Sequence, residues 1–168
     1  MIDKLEQYKS VLEEETYNHW MGVARFFRGF EYCRLVETFG DVPYYSKSIT
    51  DADTDEMYKD RTPRNLSLKH VYNDFDFALN NIRENDGTQY LNRFIAAGFV
   101  SRLMLFEGTW QKYHKNDTEL AKKYLTMAKE AGDKVLGNSK WQISGDFKSL
   151  FGSTDLSGNK EVLMYRHY

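Results

Sequence analysis

The side chains best placed to do chemistry lie in one polar segment, residues 41–65, which holds both prolines of the chain, Pro43 and Pro63. Tyr44, Tyr45 and Tyr58 offer flat aromatic faces with a polar tip. Asp51, Asp53 and Asp55 offer hydrogen-bond acceptors beside them, with Arg61 close by. Aromatic faces next to carboxylates suit sugar rings, which present an apolar face and a rim of hydroxyls. The candidate ligand-binding residues are therefore Tyr44, Tyr45, Asp51, Asp53 and Tyr58. The competing expectation is that the tyrosines only pack the segment onto its neighbours.

Other chemistries fit the sequence poorly. Asp51-Ala52-Asp53-Thr54-Asp55 starts like a calcium loop, but Glu56 stands where such a loop needs glycine and Thr62 where it needs a bidentate glutamate. His19, His70, His114 and His167 form no ligand motif, and the lone Cys33 can make neither an internal disulfide nor a zinc cluster. No glycine-rich phosphate loop, Gly-x-Ser-x-Gly elbow or His-Glu-x-x-His occurs. The expectation is no catalytic residue, no metal and no cofactor. A net charge of −2 and a pI near 6.1 leave no basic footprint for nucleic acid.

The elements that must position the segment are helical. From Trp20 to Phe39 no proline intervenes, and Trp20, Val23, Phe27 and Phe30 recur at three- and four-residue steps. The apolar surface is wider than one stripe, so two sides should be covered. Arg28, Glu31, Arg34 and Glu37 stand three apart and are expected to pair along the helix, partly buried. Gly40 should stop this helix and Pro43 should prevent its resumption. Further helices are expected at 2–12, 66–83 (capped by Ser67 or Asn65), 92–113 (capped by Asn92) and 119–136, ending at Gly137. Residues 85–88 read as a turn, 141–151 as irregular or one short helical turn, and 153–159 as a loop. Residues 161–168 could form a short C-terminal strand.

Two internal echoes suggest how these helices associate. Arg25-Phe26-Phe27, Arg34-Leu35-Val36 and Gly40 match Arg93-Phe94-Ile95, Arg102-Leu103-Met104 and Gly108 at an offset of 68. Ser67, Val71, Phe75 and Ala78 match Asp117, Ala121, Leu125 and Ala128 at an offset of 50. A long aromatic helix followed by a helix with large and small residues alternating is the mark of a helical hairpin array, similar to tetratricopeptide (TPR) units. The expected fold is all-α, built of antiparallel TPR-like hairpins, in a single domain over 1–168. The offsets differ by 18, so the first hairpin carries about that many extra residues, at 41–65. Insertions in such arrays often form the binding face.

Several stretches also carry a family resemblance. Ala24-Arg25-Phe26-Phe27-Arg28-Gly29-Phe30, Arg34-Leu35-Val36 and Phe39-Gly40-Asp41-Val42-Pro43 resemble the SusD/RagB family, with Phe27 and Gly29 in place of its usual Leu and Ala. Arg61-Thr62-Pro63-Arg64, Asn92-Arg93-Phe94-Ile95-Ala96-Ala97 and Asn159-Lys160-Glu161-Val162-Leu163 continue the pattern in order. The resemblance implies a non-enzymatic, surface-exposed lipoprotein of the outer membrane in Bacteroidetes-type bacteria. Such a protein binds a glycan or other nutrient and works with a TonB-dependent, SusC-like transporter. It also implies a longer protein than these 168 residues. The chain opens on an amphipathic helix rather than a signal peptide and carries no lipidated N-terminal Cys, so it reads as a fragment, with membrane attachment only through an anchor outside it. The rival expectation is a TPR-like scaffold whose groove binds a protein segment.

Overall fold

Helical periodicity is realised almost wherever the chain carries it. The computed structural model describes residues 1–87, 90–143 and 145–165. Among them lie seven α-helices: α1 (Ile2–Gln7), α2 (Glu14–Phe39), α3 (Thr54–Met57), α4 (Arg64–Asn81), α5 (Arg93–Trp110), α6 (Thr118–Leu136) and α7 (Phe147–Gly152). A π-helical turn, Gln111–Lys115, extends α5. The described residues contain no strand, only an isolated antiparallel bridge between Val42 and Thr62. The chain divides into two compact units, Met1–Ile82 and Arg83–Tyr168.

In the first unit α2 packs on α4. The contact is close because α2 carries glycines there. A Cβ on Gly29 would stand 2.7 Å from the Phe75 ring, and one on Gly22 would stand 2.9 Å from Ile82. Phe26, Cys33, Val36, Leu68, Val71, Phe75 and Ala78 fill the interior. The second side of α2 is covered only in part, by α1 and by the 41–48 segment, and Phe27 remains half exposed.

In the second unit α5 packs on α6. Here the close approach is at Gly108, whose Cβ would stand 2.7 Å from Leu125 and 3.1 Å from its backbone nitrogen. Ser101 Oγ donates to the Ala128 carbonyl at 2.8 Å. Ala96, Ala97, Val100, Met104, Tyr124 and Ala131 are buried.

Helix ends show which local signals hold. Gly40 caps α2 with φ +74°, and its N–H donates to the Val36 carbonyl at 3.0 Å. Asn92 Oδ1 caps α5 by accepting the N–H groups of Phe94 and Ile95, both at 3.0 Å. Asp117 caps α6 through Leu120 N–H at 2.9 Å, and Gly137 follows its last residue. The start of α4 differs from expectation. Pro63, not Ser67 or Asn65, precedes it, and Ser67 is buried inside the helix. The capping acceptor arrives from far along the chain: Asp41 Oδ1 receives the Arg64 N–H at 2.8 Å.

Three more expectations are corrected. The first helix stops at Gln7 rather than residue 12, because Tyr8 and Val11 face solvent and nothing rewards another turn. Arg28 does not pair along its own helix; it reaches across to α4, while Glu31 and Arg34 pair at 3.5 Å with both side chains exposed. The C-terminal strand is absent over residues 161–165, which run as turn and coil with no partner strand. Residues 166–168 of that expected strand, and Thr88 of the expected turn, lie outside the described residues.

Candidate functional site

The insertion between α2 and α4 is not a floppy tether. Its two ends are clamped together. Thr62 N–H donates to the Val42 carbonyl at 3.0 Å, and Tyr44 N–H donates to Thr62 Oγ1 at 3.1 Å. Arg64 is buried, and its Nη1 donates to the Val36 carbonyl at 3.1 Å, tying the end of α2 to the start of α4.

From that clamp the segment folds back over α2. Tyr45 N–H donates to the Tyr32 hydroxyl at 2.7 Å. Ser46 gives its carbonyl to Arg28 Nη1 at 3.1 Å. Ser48 N–H donates to Asp3 at 2.9 Å, a contact that holds that carboxyl below its usual range.

Arg28 is the anchor of this arrangement. Its Nε and Nη2 each donate to one oxygen of Asp74 at 2.7 Å, a bidentate pair. Asp74 is 97% buried at its side chain and Arg28 largely so. Burial alone would lower the guanidinium pKa, but hydrogen bonding and charge attraction from Asp74 outweigh it, and the net shift is upward.

The candidate residues fall into two groups. Tyr44 is buried, with His70 stacked on its ring at 4.3 Å between centroids and Tyr32 at 4.7 Å on a tilt. Burial raises its pKa. Its faces are occupied, so it holds the segment down rather than presenting a surface. Asp53 likewise turns inward on its own loop. It accepts from Thr50 N–H at 3.0 Å, Thr50 Oγ1 at 2.7 Å and Lys47 at 3.2 Å, and these contacts lower its pKa to about 2.

Tyr45, Asp51 and Tyr58 remain outward. Tyr45 is half-buried, with its hydroxyl near the Met57 carbonyl at 3.4 Å and the Lys59 ammonium 4.5 Å from its ring centroid. Asp51 is exposed at the turn before α3. Tyr58 is 82% exposed. No cluster of three or more potential metal ligands exists among the described residues.

Sequence reasoning missed the other wall of the site. An open groove of about 290 Å³ runs beside the segment, lined by Asp3, Phe27, Arg28, Tyr45, Lys47 and Ser48 among others. Phe27 is half exposed there. Trp20 and Phe27, seven apart, share a face, and that face is the one α4 leaves uncovered. The groove thus offers two aromatic side chains, Phe27 and Tyr45, with polar groups at its rim.

Among the described residues the chain is thus built of paired helices, with a braced insertion that shapes an aromatic groove. Comparison with known proteins supplies the family. The SusD-like family described as starch-binding and associating with the outer membrane matches residues 1–105, and the chain belongs to that family. The chain is similar to the SusD-like protein P2 of Formosa agariphila, with 26% identity over 160 residues, which is 93% of this chain and 28% of that protein. A crystal structure solved with a xylogluco-oligosaccharide superposes on 97% of the chain with a TM-score of 0.64 at 18% identity. A second crystal structure superposes on 90% with a TM-score of 0.59 at 20% identity. At those identities the likeness shows the fold. The chain spans less than a third of the length of each of these relatives.

Proposed function

We propose that this chain is the TPR-like helical part of a non-enzymatic, glycan-binding protein that serves nutrient uptake at the outer membrane. Its partner on this reading is a SusC-like, TonB-dependent transporter, and its place is the cell surface, held by a lipid anchor. Membership of a family described as starch-binding supports the reading, as does a fold shared with a protein solved with an oligosaccharide. No helix among the described residues is long and apolar enough to cross a membrane.

The observation that carries the reading is the groove beside the insertion. Phe27 and Tyr45 line it on a scaffold fixed by the buried Arg28–Asp74 pair and by the Tyr44 stack. Fixed aromatic side chains bind flat apolar surfaces at low entropic cost. Tyr58 and Asp51 are exposed on the same insertion, while Tyr44 and Asp53 hold it in shape. The test is a calorimetric titration against a panel of neutral glycans, together with affinity purification from outer membranes. Saturable binding of one glycan class and co-purification of a TonB-dependent transporter are expected. Recovery of a peptide partner instead, with residues 41–65 dispensable, would replace this reading with the scaffold one.

A further inference from the structure

A second pocket lies in the first unit, where α1 and the turn after it meet α2 and α4, and no residue of the insertion lines it. It encloses about 370 Å³, within the range of ordinary ligand pockets. Tyr17 braces one wall. Its hydroxyl donates to Glu6 at 3.0 Å, and the Lys9 ammonium lies over its ring at 5.3 Å.

Arg25 is the group in this pocket that the fold leaves unanswered. Its guanidinium lies over the Phe77 ring at 4.3 Å, a contact that holds it in place without neutralising it. Nε is sealed from solvent without an acceptor, whereas Nη1 and Nη2 keep accessible surface and make no hydrogen bond among the described residues. No carboxylate pairs with Arg25 there either. Its counterpart in the second unit, Arg93, pairs with Glu84 at 3.1 Å, and Arg28, one turn further along α2, pairs with Asp74.

The acidic side chains of the pocket do not fill that role. Glu6 is engaged by Tyr17, and Glu14 is exposed with no ion pair or side-chain hydrogen bond among the described residues. Asn18 lines the pocket too, and its side-chain amide makes no hydrogen bond among them. At 3.6 residues per turn, Glu14, Asn18 and Arg25 fall within about 40° of one another around α2. They form a row along one face: a carboxylate at one end, an amide between, a guanidinium at the other.

The row also sets a length. Eleven residues put Glu14 and Arg25 about 16 Å apart along the axis. Long helical side chains lean towards the N-terminus, which shortens the gap from the Arg25 end. What remains suits an extended chain of two or three residues, at about 3.3 Å per residue.

We propose that this row binds a small zwitterion whose carboxylate and ammonium stand several ångströms apart, as in a short peptide or an ω-amino acid. Nη1 and Nη2 of Arg25 donate to the carboxylate, the planar fork matching its two oxygens. Glu14 receives the ammonium, and Asn18 serves any amide between the two ends. Glu6 and Glu14 repel a dianion. The inference does not rest on glycan binding at the insertion.

The test titrates the chain with triglycine, ε-aminocaproate, N-acetyl-triglycine, triglycine amide and adipate, by calorimetry and with the Arg25 Nε–H and Asn18 amide signals followed by NMR. A zwitterionic probe should bind saturably, shift the Arg25 signal and bind more weakly as salt rises. Each blocked peptide, charged at one end only, should bind about tenfold or more weakly than triglycine, and adipate should not bind. Arg25→Gln should weaken binding about tenfold or more, and Arg25→Lys nearly as much, because the fork is lost. Glu14→Gln should weaken it about three- to tenfold; that side chain is exposed, so helical content by circular dichroism should not change.

The proposal is overturned if neither zwitterion moves the Arg25 signal, if a blocked peptide or adipate binds as well as triglycine, or if Glu14→Gln and Arg25→Gln bind like wild type. A response to triglycine alone assigns the row to peptides, and a response to ε-aminocaproate alone assigns it to ω-amino acids.

Discussion

The two units solve the same problem, pressing one helix onto another, in different registers. In the first, Phe75 of α4 meets Gly29 of α2. In the second, the equivalent residue, Leu125 of α6, meets Gly108 of α5. By the sequence echo its partner should be Ala97, the counterpart of Gly29. The contact lies eleven residues further along, which is three helical turns and about 16 Å. Eleven residues return to nearly the same helix face, so a similar pattern of large and small residues serves both registers. The connection sets the slide. Residues 40–63 let α4 run back along α2, whereas α6 follows α5 after the π-helical turn and only Asn116 and Asp117. The insertion therefore does two things: it shifts the hairpin, and it covers the stretch of α2 that the shift leaves bare.

The units also differ in what they bury beside Gly29 and at the sequence counterparts of those positions. The first buries an ion pair, Arg28 with Asp74. At the equivalent positions the second buries Ala96 and Tyr124. Asp74→Ala should therefore be the most damaging of the changes considered, costing about 3–5 kcal/mol because it strands a buried guanidinium. The same truncation at Tyr124 strands no charge. Urea denaturation of Asp74→Ala measures the loss. The double change Arg28→Met with Asp74→Leu should recover most of it, since apolar replacements of buried pairs are often neutral.

Register itself can be broken next. Gly29→Val pushes a Cβ into the fully buried Phe75 ring and Gly108→Val into Leu125 and its backbone nitrogen, and each should cost about 1–3 kcal/mol. A double-mutant cycle sharpens the comparison. Gly29→Ala with Phe75→Leu, and Gly108→Ala with Leu125→Ala, should couple by about 0.5–3 kcal/mol, whereas Ala97→Gly with Leu125→Ala should add within about 0.5 kcal/mol. Strong coupling between Ala97 and Leu125 would mean that the two hairpins share one register after all.

Smaller effects separate the holding residues of the insertion from its presenting ones. Tyr58→Ala removes an exposed ring and should change stability by less than about 0.5 kcal/mol. Asp53 sets a pH window. Its folded pKa of about 2 lies below the ordinary carboxylate value of 3.8, so its contribution is complete above about 3.8 and is lost as pH falls through about 2. Hydrogen exchange at the Thr50 N–H should accelerate across that window, and Asp53→Asn should flatten the dependence.

Local signals survived into the structure where the partner is a neighbour in sequence. Gly40, Asn92 and Asp117 end or start helices as their types predict, because a cap acts within one turn. What stayed hidden was long-range. Asp74 is 46 residues from Arg28, and Asp41 caps a helix 23 residues away. Tyr44 looks like its neighbour Tyr45 in the sequence. They separate only because alternate residues of an extended segment face opposite ways, which sends Tyr44 between Tyr32 and His70. Phe27 was legible as part of a helix, but not as exposed, since that depends on how far α4 slides.

On the proposed function, recognition lies in the groove between α2 and the insertion. Calorimetry on wild type, Phe27→Ala and Tyr45→Ala, against the neutral glycan that the wild-type protein binds best, tests it most directly. Each truncation should weaken binding at least about tenfold, the scale of one lost aromatic anchor, while the helical content stays unchanged. Wild-type affinity in both variants would contradict it.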